Sequence, residues 1–265
     1  MNPTDAQRGA IESDHPRILV VAGAGTGKTW TLLERVKRLL VSVDPQEIAI
    51  VTYTNAAAGV IEKRLGEDVR LGFLGTLHGL CARRIEQSDA WERIQIMDDA
   101  EAREMREQIA RNVGLKAGDP LVEKIYLRDC LAYGRFDYDL LLSTALSLWR
   151  GNSYQRQWSH LFVDEYQDAS PIDAEIYEAI GAENRYVTGD PRQAIFGFRG
   201  GDVSQIESLI ASPKWEKHEL ALTFRCGEAI CAGANGLMNA AEMAGKRPET
   251  RPTIIRDTIP TSKQP

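Results

Sequence analysis

Short apolar runs at residues 18–22, 48–52, 71–74, 160–163 and 185–188 alternate with segments whose apolar positions recur at helical spacing. The runs carry little polar interruption, so both of their faces are expected to be covered, as in strands inside a parallel sheet. Helical patterns follow them at 28–41, 55–65, 78–87, 171–180 and 203–210. The alternation predicts an α/β fold, a parallel sheet with helices on both faces. Between residues 82 and 157 the strand signal disappears and helical periodicity takes over, for example at 98–112 and 138–149. The simplest arrangement is a small helical subdomain inserted at 82–157 into a sheet domain formed by 1–81 and 158–215. Alternating charges at Glu101, Arg103, Glu104, Arg106 and Glu107 mark a solvated helix face. From 247 to 265 Pro, Thr, Arg and Lys dominate without periodicity, which predicts a disordered tail.

Composition narrows the class only a little. Of 265 residues, 43% are apolar and 26% charged, an ordinary balance for a soluble globular protein, and no apolar run approaches the roughly 18 residues of a membrane span. Asp5, Arg8 and Glu12 stand where a signal peptide would need a basic leader and an apolar core, so export is not expected. Cys81, Cys130, Cys226 and Cys231 show no zinc-ligand spacing with one another or with the scattered histidines, and are expected to be reduced thiols of a cytoplasmic protein. A net charge of −6 argues against an all-over basic coat and leaves room for a local nucleic-acid groove.

The segment Gly23-Ala24-Gly25-Thr26-Gly27-Lys28-Thr29 changes the picture, because it follows one apolar run and opens a helical pattern, the setting of a phosphate-binding loop. Its glycines let backbone N–H groups close around the β- and γ-phosphates, Lys28 adds a point charge, and the Thr29 hydroxyl is placed to ligate Mg²⁺. Ala22 occupies the first position of the usual pattern, a small residue where glycine is common. Binding of a nucleoside triphosphate is the prediction. A second block, Asp164-Glu165-Tyr166-Gln167-Asp168, follows the run at 160–163. Alone, Asp-Glu before a helix is ordinary dipole chemistry. Coupled to a phosphate loop it reads as a catalytic pair, with Asp164 holding Mg²⁺ through its water shell and Glu165 aligning and deprotonating the attacking water.

In order along the chain, these residues resemble the superfamily 1 DNA helicases of the UvrD/Rep type. Asn2-Pro3 with Gln7 looks like that family's opening glutamine motif, and Thr52-Tyr53-Thr54-Asn55-Ala56-Ala57-Ala58 and Gly75-Thr76-Leu77-His78 are similar to the motifs after its next two strands. Phe136-Asp137-Tyr138-Asp139-Leu140-Leu141 resembles the segment before the acidic block, and Asp164 to Asp168 matches the block itself. Val187 to Gly200 and Leu222-Thr223-Phe224-Arg225 are similar to the motifs that come next. The resemblance implies a RecA-like P-loop NTPase motor domain at 1–81 and 158–215, a 1B-like insertion, and at 216–265 the opening of an incomplete second, 2A-like motor domain with its first helix at 225–235.

The resemblance also assigns roles. Gln7 reads the adenine edge, Phe224 stacks on adenine, Arg225 reaches the γ-phosphate, and Gln193 touches the γ-phosphate and reports hydrolysis to the residues after it. Phe196 and Phe198, with Arg199 beside them, form a platform for single-stranded bases, worth roughly 1–3 kcal/mol per base, although period-two aromatics also simply fill sheet faces. Tyr53 adds a base contact, and Thr54, Asn55, Thr76 and His78 hold phosphates. Trp30 stands where the family commonly has arginine, and both an adenine stack and core packing are open to it. The implied function is an ATP- and Mg²⁺-dependent helicase or translocase moving 3′-to-5′ on single-stranded DNA or a tailed duplex, the rest of its second domain coming from a partner protein or a C-terminal segment. The alternative is an ATP-responsive single-stranded DNA-binding or regulatory subunit that does not unwind DNA alone.

Overall fold

A computed structural model describes residues 2–66, 68–88, 90–91, 93–151, 157–195, 200–237 and 244–247. The elements are α1 (Asp5–Glu12), β1 (Arg17–Ala22), α2 (Lys28–Leu39), β2 (Ile48–Thr52), α3 (Asn55–Leu65), β3 (Phe73–Thr76) and α4 (Leu77–Glu86). Then come β4 (Gln95–Ile96), α5 (Asp99–Val113), α6 (Pro120–Tyr133), β5 (Arg135–Phe136) and α7 (Tyr138–Gly151). The chain continues with β6 (His160–Val163), α8 (Pro171–Ala179), β7 (Asn184–Gly189), α9 (Ser204–Ala211), β8 (Glu216–Leu220), β9 (Leu222–Gly227), α10 (Glu228–Leu237) and β10 (Ala244–Arg247).

A six-stranded parallel sheet runs in the order β3-β2-β6-β7-β1-β8. Alternate residues divide its strands between two cores. Leu19, Ala49, Val51, Leu161, Val163 and Val187 pack with side chains of α4, α7, α8 and α9. Ile18, Val20, Ile48, Ile50, Phe162 and Tyr186 pack with α1, α2 and α3 on the other face. Burial on both sides explains why these strands read as continuous apolar runs. Among the described residues no helix is long and apolar enough to cross a membrane.

Three expectations need correction. Residues 216–220, expected to open a second domain, form β8, which pairs with β1 at the sheet edge. Four of its five residues are only partly buried or exposed, so Glu-Lys-His-Glu-Leu gave no apolar run. Any second domain starts after Leu220, and its first helix begins at Glu228, because 222–227 is a strand paired with β10. Second, α7 lies inside the expected insertion, yet it buries Leu141, Ala145, Leu146 and Trp149 in the sheet domain's core. The separate core of the insertion comprises Met97, Ala102, Ile109, Ala110, Val122, Tyr126 and Cys130. Third, β3 starts two residues later than the apolar run, because Gly72 is pressed against the preceding turn. Its N–H donates to the Pro45 carbonyl at 2.9 Å, and a Cβ there would stand 2.0 Å from the Gln46 carbonyl oxygen. The expected tail from 248 onward lies outside the described residues.

Asp137 ties the insertion to the sheet domain. Its Oδ2 accepts hydrogen bonds from the Tyr126 hydroxyl at 2.7 Å and from Arg106 Nη2 at 3.0 Å, and its Oδ1 caps α7 by accepting the Leu140 N–H at 2.8 Å. Arg106 also grips Glu123 through Nε and Nη2, at 2.9 and 3.2 Å, with its guanidinium 3.6 Å from the Tyr126 ring centre. Burial pushes the Asp137 carboxyl up, but the hydrogen bonds from Leu140, Tyr126 and Arg106 outweigh it and hold the group below its ordinary value.

Candidate functional site

The ends of three neighbouring strands build the site. β6, β7 and β1 lie side by side, with Val163 opposite Val187 and Val21 opposite Gly189, so the segments leaving their C-terminal ends converge. The phosphate loop leaves β1, Asp164 and Glu165 leave β6, and Asp190 leaves β7.

Within the loop, the Thr26 hydroxyl donates to the Gly23 carbonyl at 2.8 Å, and Gly25 and Gly27 take left-handed φ values of 73° and 89°. Gly27 is the N-cap of α2 and offers no side chain to the first-turn N–H groups, which are left for an anion. Gln7 and β9 hold the loop from outside. Gln7 Nε2 donates to the Thr26 carbonyl at 3.1 Å while its Oε1 accepts the Thr4 N–H at 2.9 Å. The Thr223 hydroxyl donates to the Ala24 carbonyl at 2.8 Å, and the Phe224 N–H to the Gly25 carbonyl at 2.9 Å. A Cβ on Gly25 would stand 2.4 Å from Arg225 Cβ and 2.7 Å from Thr223 Oγ1. Gly25→Ala is therefore expected to cost at least about 1–2 kcal/mol from its left-handed backbone alone, seen as a lowered thermal midpoint and weaker phosphate binding. Gly59→Ala, in α3 with open space around it, is the control and is expected to gain about 0.5–1 kcal/mol.

Charge collects behind the loop. Lys28 Nζ donates to Glu165 Oε2 at 2.9 Å, and the buried Gln167 donates through Nε2 to the same oxygen at 2.8 Å. Among the described residues Glu165 is the single non-glycine residue at positive φ, 57°, local strain of the kind that gathers at functional sites. Asp164 is buried, and its Oδ2 accepts the Thr29 hydroxyl at 3.3 Å. Its Oδ1 accepts the Glu165 N–H at 3.1 Å and the Thr188 hydroxyl. Burial first, and the charge of Glu165 second, push the Asp164 carboxyl above its ordinary range. A buried carboxylate so destabilised, beside a hydroxyl, is a hard-oxygen donor set that fits Mg²⁺, an ion that uses few protein ligands and retains several waters. Gln193 donates to Asp190 Oδ2 at 2.7 Å, while Asp190 N–H donates to Gln167 Oε1 at 3.0 Å.

A family model described as the UvrD/REP helicase N-terminal domain matches residues 3–117 and 116–214. The chain belongs to this family. Similar relatives include DNA helicase II of Escherichia coli (strain K12), 27% identical over 287 residues, covering 88% of this chain and 40% of that protein. ATP-dependent DNA helicase UvrD1 of Mycobacterium tuberculosis (strain ATCC 25618 / H37Rv) is 25% identical, covering 93% of this chain and 40% of its own length. ATP-dependent DNA helicase PcrA of Staphylococcus epidermidis (strain RP62A) is 26% identical, with coverages of 78% and 36%. The chain thus spans about two-fifths of the length of these relatives.

In this UvrD/REP-family chain the residues expected to meet nucleic acid line the same C-terminal edge of the sheet, beyond β2 and β3. Thr52 lies opposite Thr76, and the segments that follow carry Tyr53, Thr54 and Asn55 on one side and Thr76 and His78 on the other. Thr54 and Thr76 are helix N-caps, their hydroxyls accepting the Ala57 and Gly79 N–H groups at 3.1 and 3.2 Å. The His78 ring meets the edge of Tyr138, centres 4.8 Å apart, and burial lowers its affinity for a proton. Phe196, Phe198 and Arg199 lie outside the described residues. Trp30 is half-buried and belongs to none of the three cores, Phe224 is half-buried, and Arg225 is exposed. Sequence reasoning missed Gln167, Thr188, Asp190 and Thr223. Each lies in or beside a recognised motif, but its partner comes from a different strand end.

Proposed function

We propose that this chain is the ATP-binding motor portion of a DNA helicase or translocase that works 3′-to-5′ on single-stranded DNA. The observation that carries the reading is the Lys28–Glu165 ion pair at 2.9 Å beside the Thr29–Asp164 contact at 3.3 Å, behind a loop with open helix N–H groups. In this reading Gln7 and Phe224 hold the adenine, with Trp30 on the same nucleotide. Residues 22–29 cradle the phosphates, and Thr29 and Asp164 hold Mg²⁺. When bound, the ion neutralises charge on the β- and γ-phosphates. Phosphate draws Lys28 off Glu165, and the released carboxylate takes a proton from the water that attacks the γ-phosphorus. Gln193 leaves Asp190 for the γ-phosphate, and Arg225 adds the charge of an arginine finger. Tyr53, Thr54, Asn55, Thr76 and His78, continued by Phe196, Phe198 and Arg199, carry the strand. Residues beyond Leu220 open the second motor domain, the remainder of which a C-terminal segment or a partner supplies.

ATP hydrolysis measured with and without single-stranded DNA, with Lys28→Ala as the blank, tests the proposal. DNA-stimulated turnover absent from the blank is the expected result. Turnover equal in the blank would contradict it. DNA affinity that changes with nucleotide, without turnover, would favour the ATP-responsive binding subunit.

A further inference from the structure

We infer that Thr188 is a positioning residue for the metal-facing carboxylate: its hydroxyl fixes which oxygen of Asp164 is turned to Thr29, and so sets the affinity for Mg²⁺ at the nucleotide. The inference rests on the proposed ATP reading and adds to it a residue outside the phosphate loop and the acidic block. Thr188 is 0% exposed on β7 and Asp164 is 6% exposed. Two residues before Thr188, on the same strand face, Tyr186 packs in the core shared with α2. That face leads to the first turn of α2, which holds Lys28 and Thr29.

The two oxygens of Asp164 are served differently. Among the described residues Oδ1 takes both the Thr188 hydroxyl and the Glu165 N–H, whereas Oδ2 takes only the Thr29 hydroxyl. An aspartate carboxyl turns through a broad, roughly two-fold torsion, so packing alone does not distinguish its oxygens. A fully buried hydroxyl must donate or lose free energy. A β-branched side chain is also stiff about χ1, which holds that hydroxyl in place. Thr188 thereby locks Oδ1 and presents Oδ2 beside Thr29, before any nucleotide arrives. Val would fill the same volume without the donor and leave Oδ1 held by the Glu165 N–H alone, at 3.1 Å, so the carboxyl turns more easily.

The test is a titration of a fluorescent ADP into the chain at rising Mg²⁺, for the parent and for Thr188→Val, Thr188→Ser and Thr188→Ala, with thermal midpoints recorded alongside. Thr188→Val should bind ADP without Mg²⁺ as the parent does, while its half-saturating Mg²⁺ concentration rises at least about 10-fold, the lower end of the scale of one lost hydrogen bond to a charged group. Thr188→Ser should stay near the parent. If Thr188→Val fails to fold, Ser and Ala decide the question, since both lack the methyl and differ only in the hydroxyl. An Mg²⁺ dependence unchanged in Val, or equal in Ser and Ala, overturns the inference and leaves the ATP reading standing. A parent that binds no ADP at any Mg²⁺ concentration overturns both.

Discussion

Glu165→Gln is expected to retain nucleotide binding and to lose roughly 10²–10⁴ in turnover, the scale of a missing general base. The amide keeps the size of the side chain and can still accept from Lys28 and Gln167, which now share Glu165 Oε2 at 2.9 and 2.8 Å. It cannot take a proton from water. Nor can it compete as an anion for Lys28, so affinity for nucleotide should stay level or rise. The two effects move in opposite directions, which separates lost chemistry from a damaged site. Steady-state hydrolysis and nucleotide titration on the same preparation read both, and turnover equal to the parent would remove Glu165 from the role of base.

Asp137→Ala is expected to destabilise the fold by roughly 3 kcal/mol, the lower part of the range for breaking a largely buried ion pair by removing one partner. The Asp137 side chain is 13% exposed and serves Tyr126, Arg106 and the first turn of α7 together. Arg106 retains Glu123, which limits the loss. Because the folded carboxyl sits below its unfolded value, its contribution is fully present above the unfolded carboxylate range, about pH 4, and is lost as pH falls through the folded value. Urea unfolding should therefore show the deficit of the variant at neutral pH and a shrinking one in acid. A deficit that is constant with pH would mean that packing, not the charge, is at stake.

What could be read from the sequence follows from burial. β2 is buried at every position and β6 at three of four, so an uninterrupted apolar run exposed each of them. β8 was hidden because an edge strand leaves Glu216 to Glu219 partly in water. α6, inside the stretch expected to be helical, shows the opposite pattern. Leu121, Leu127 and Leu131 are exposed while Val122, Tyr126 and Cys130 are buried, so its apolar residues run around the helix and give no single face. Lys28, Thr29, Asp164 and Glu165 could be singled out because each sits in a local motif beside a strand end, where the structure brings them together. Their meeting depends on β7 lying between β6 and β1, and no local pattern encodes that order. Gln167, Thr188 and Thr223 escaped for the same reason. A polar side chain near a strand or turn is ordinary until the neighbouring strand end supplies its partner.

The most direct test of the central claim is an equilibrium titration of ATP, in Mg²⁺, into this chain and into Lys28→Ala. Saturable binding by the parent, strongly weakened in the variant and dependent on Mg²⁺, is the predicted result. Equal binding by the two, or none by the parent, would contradict the assignment of this loop and its carboxylates to ATP.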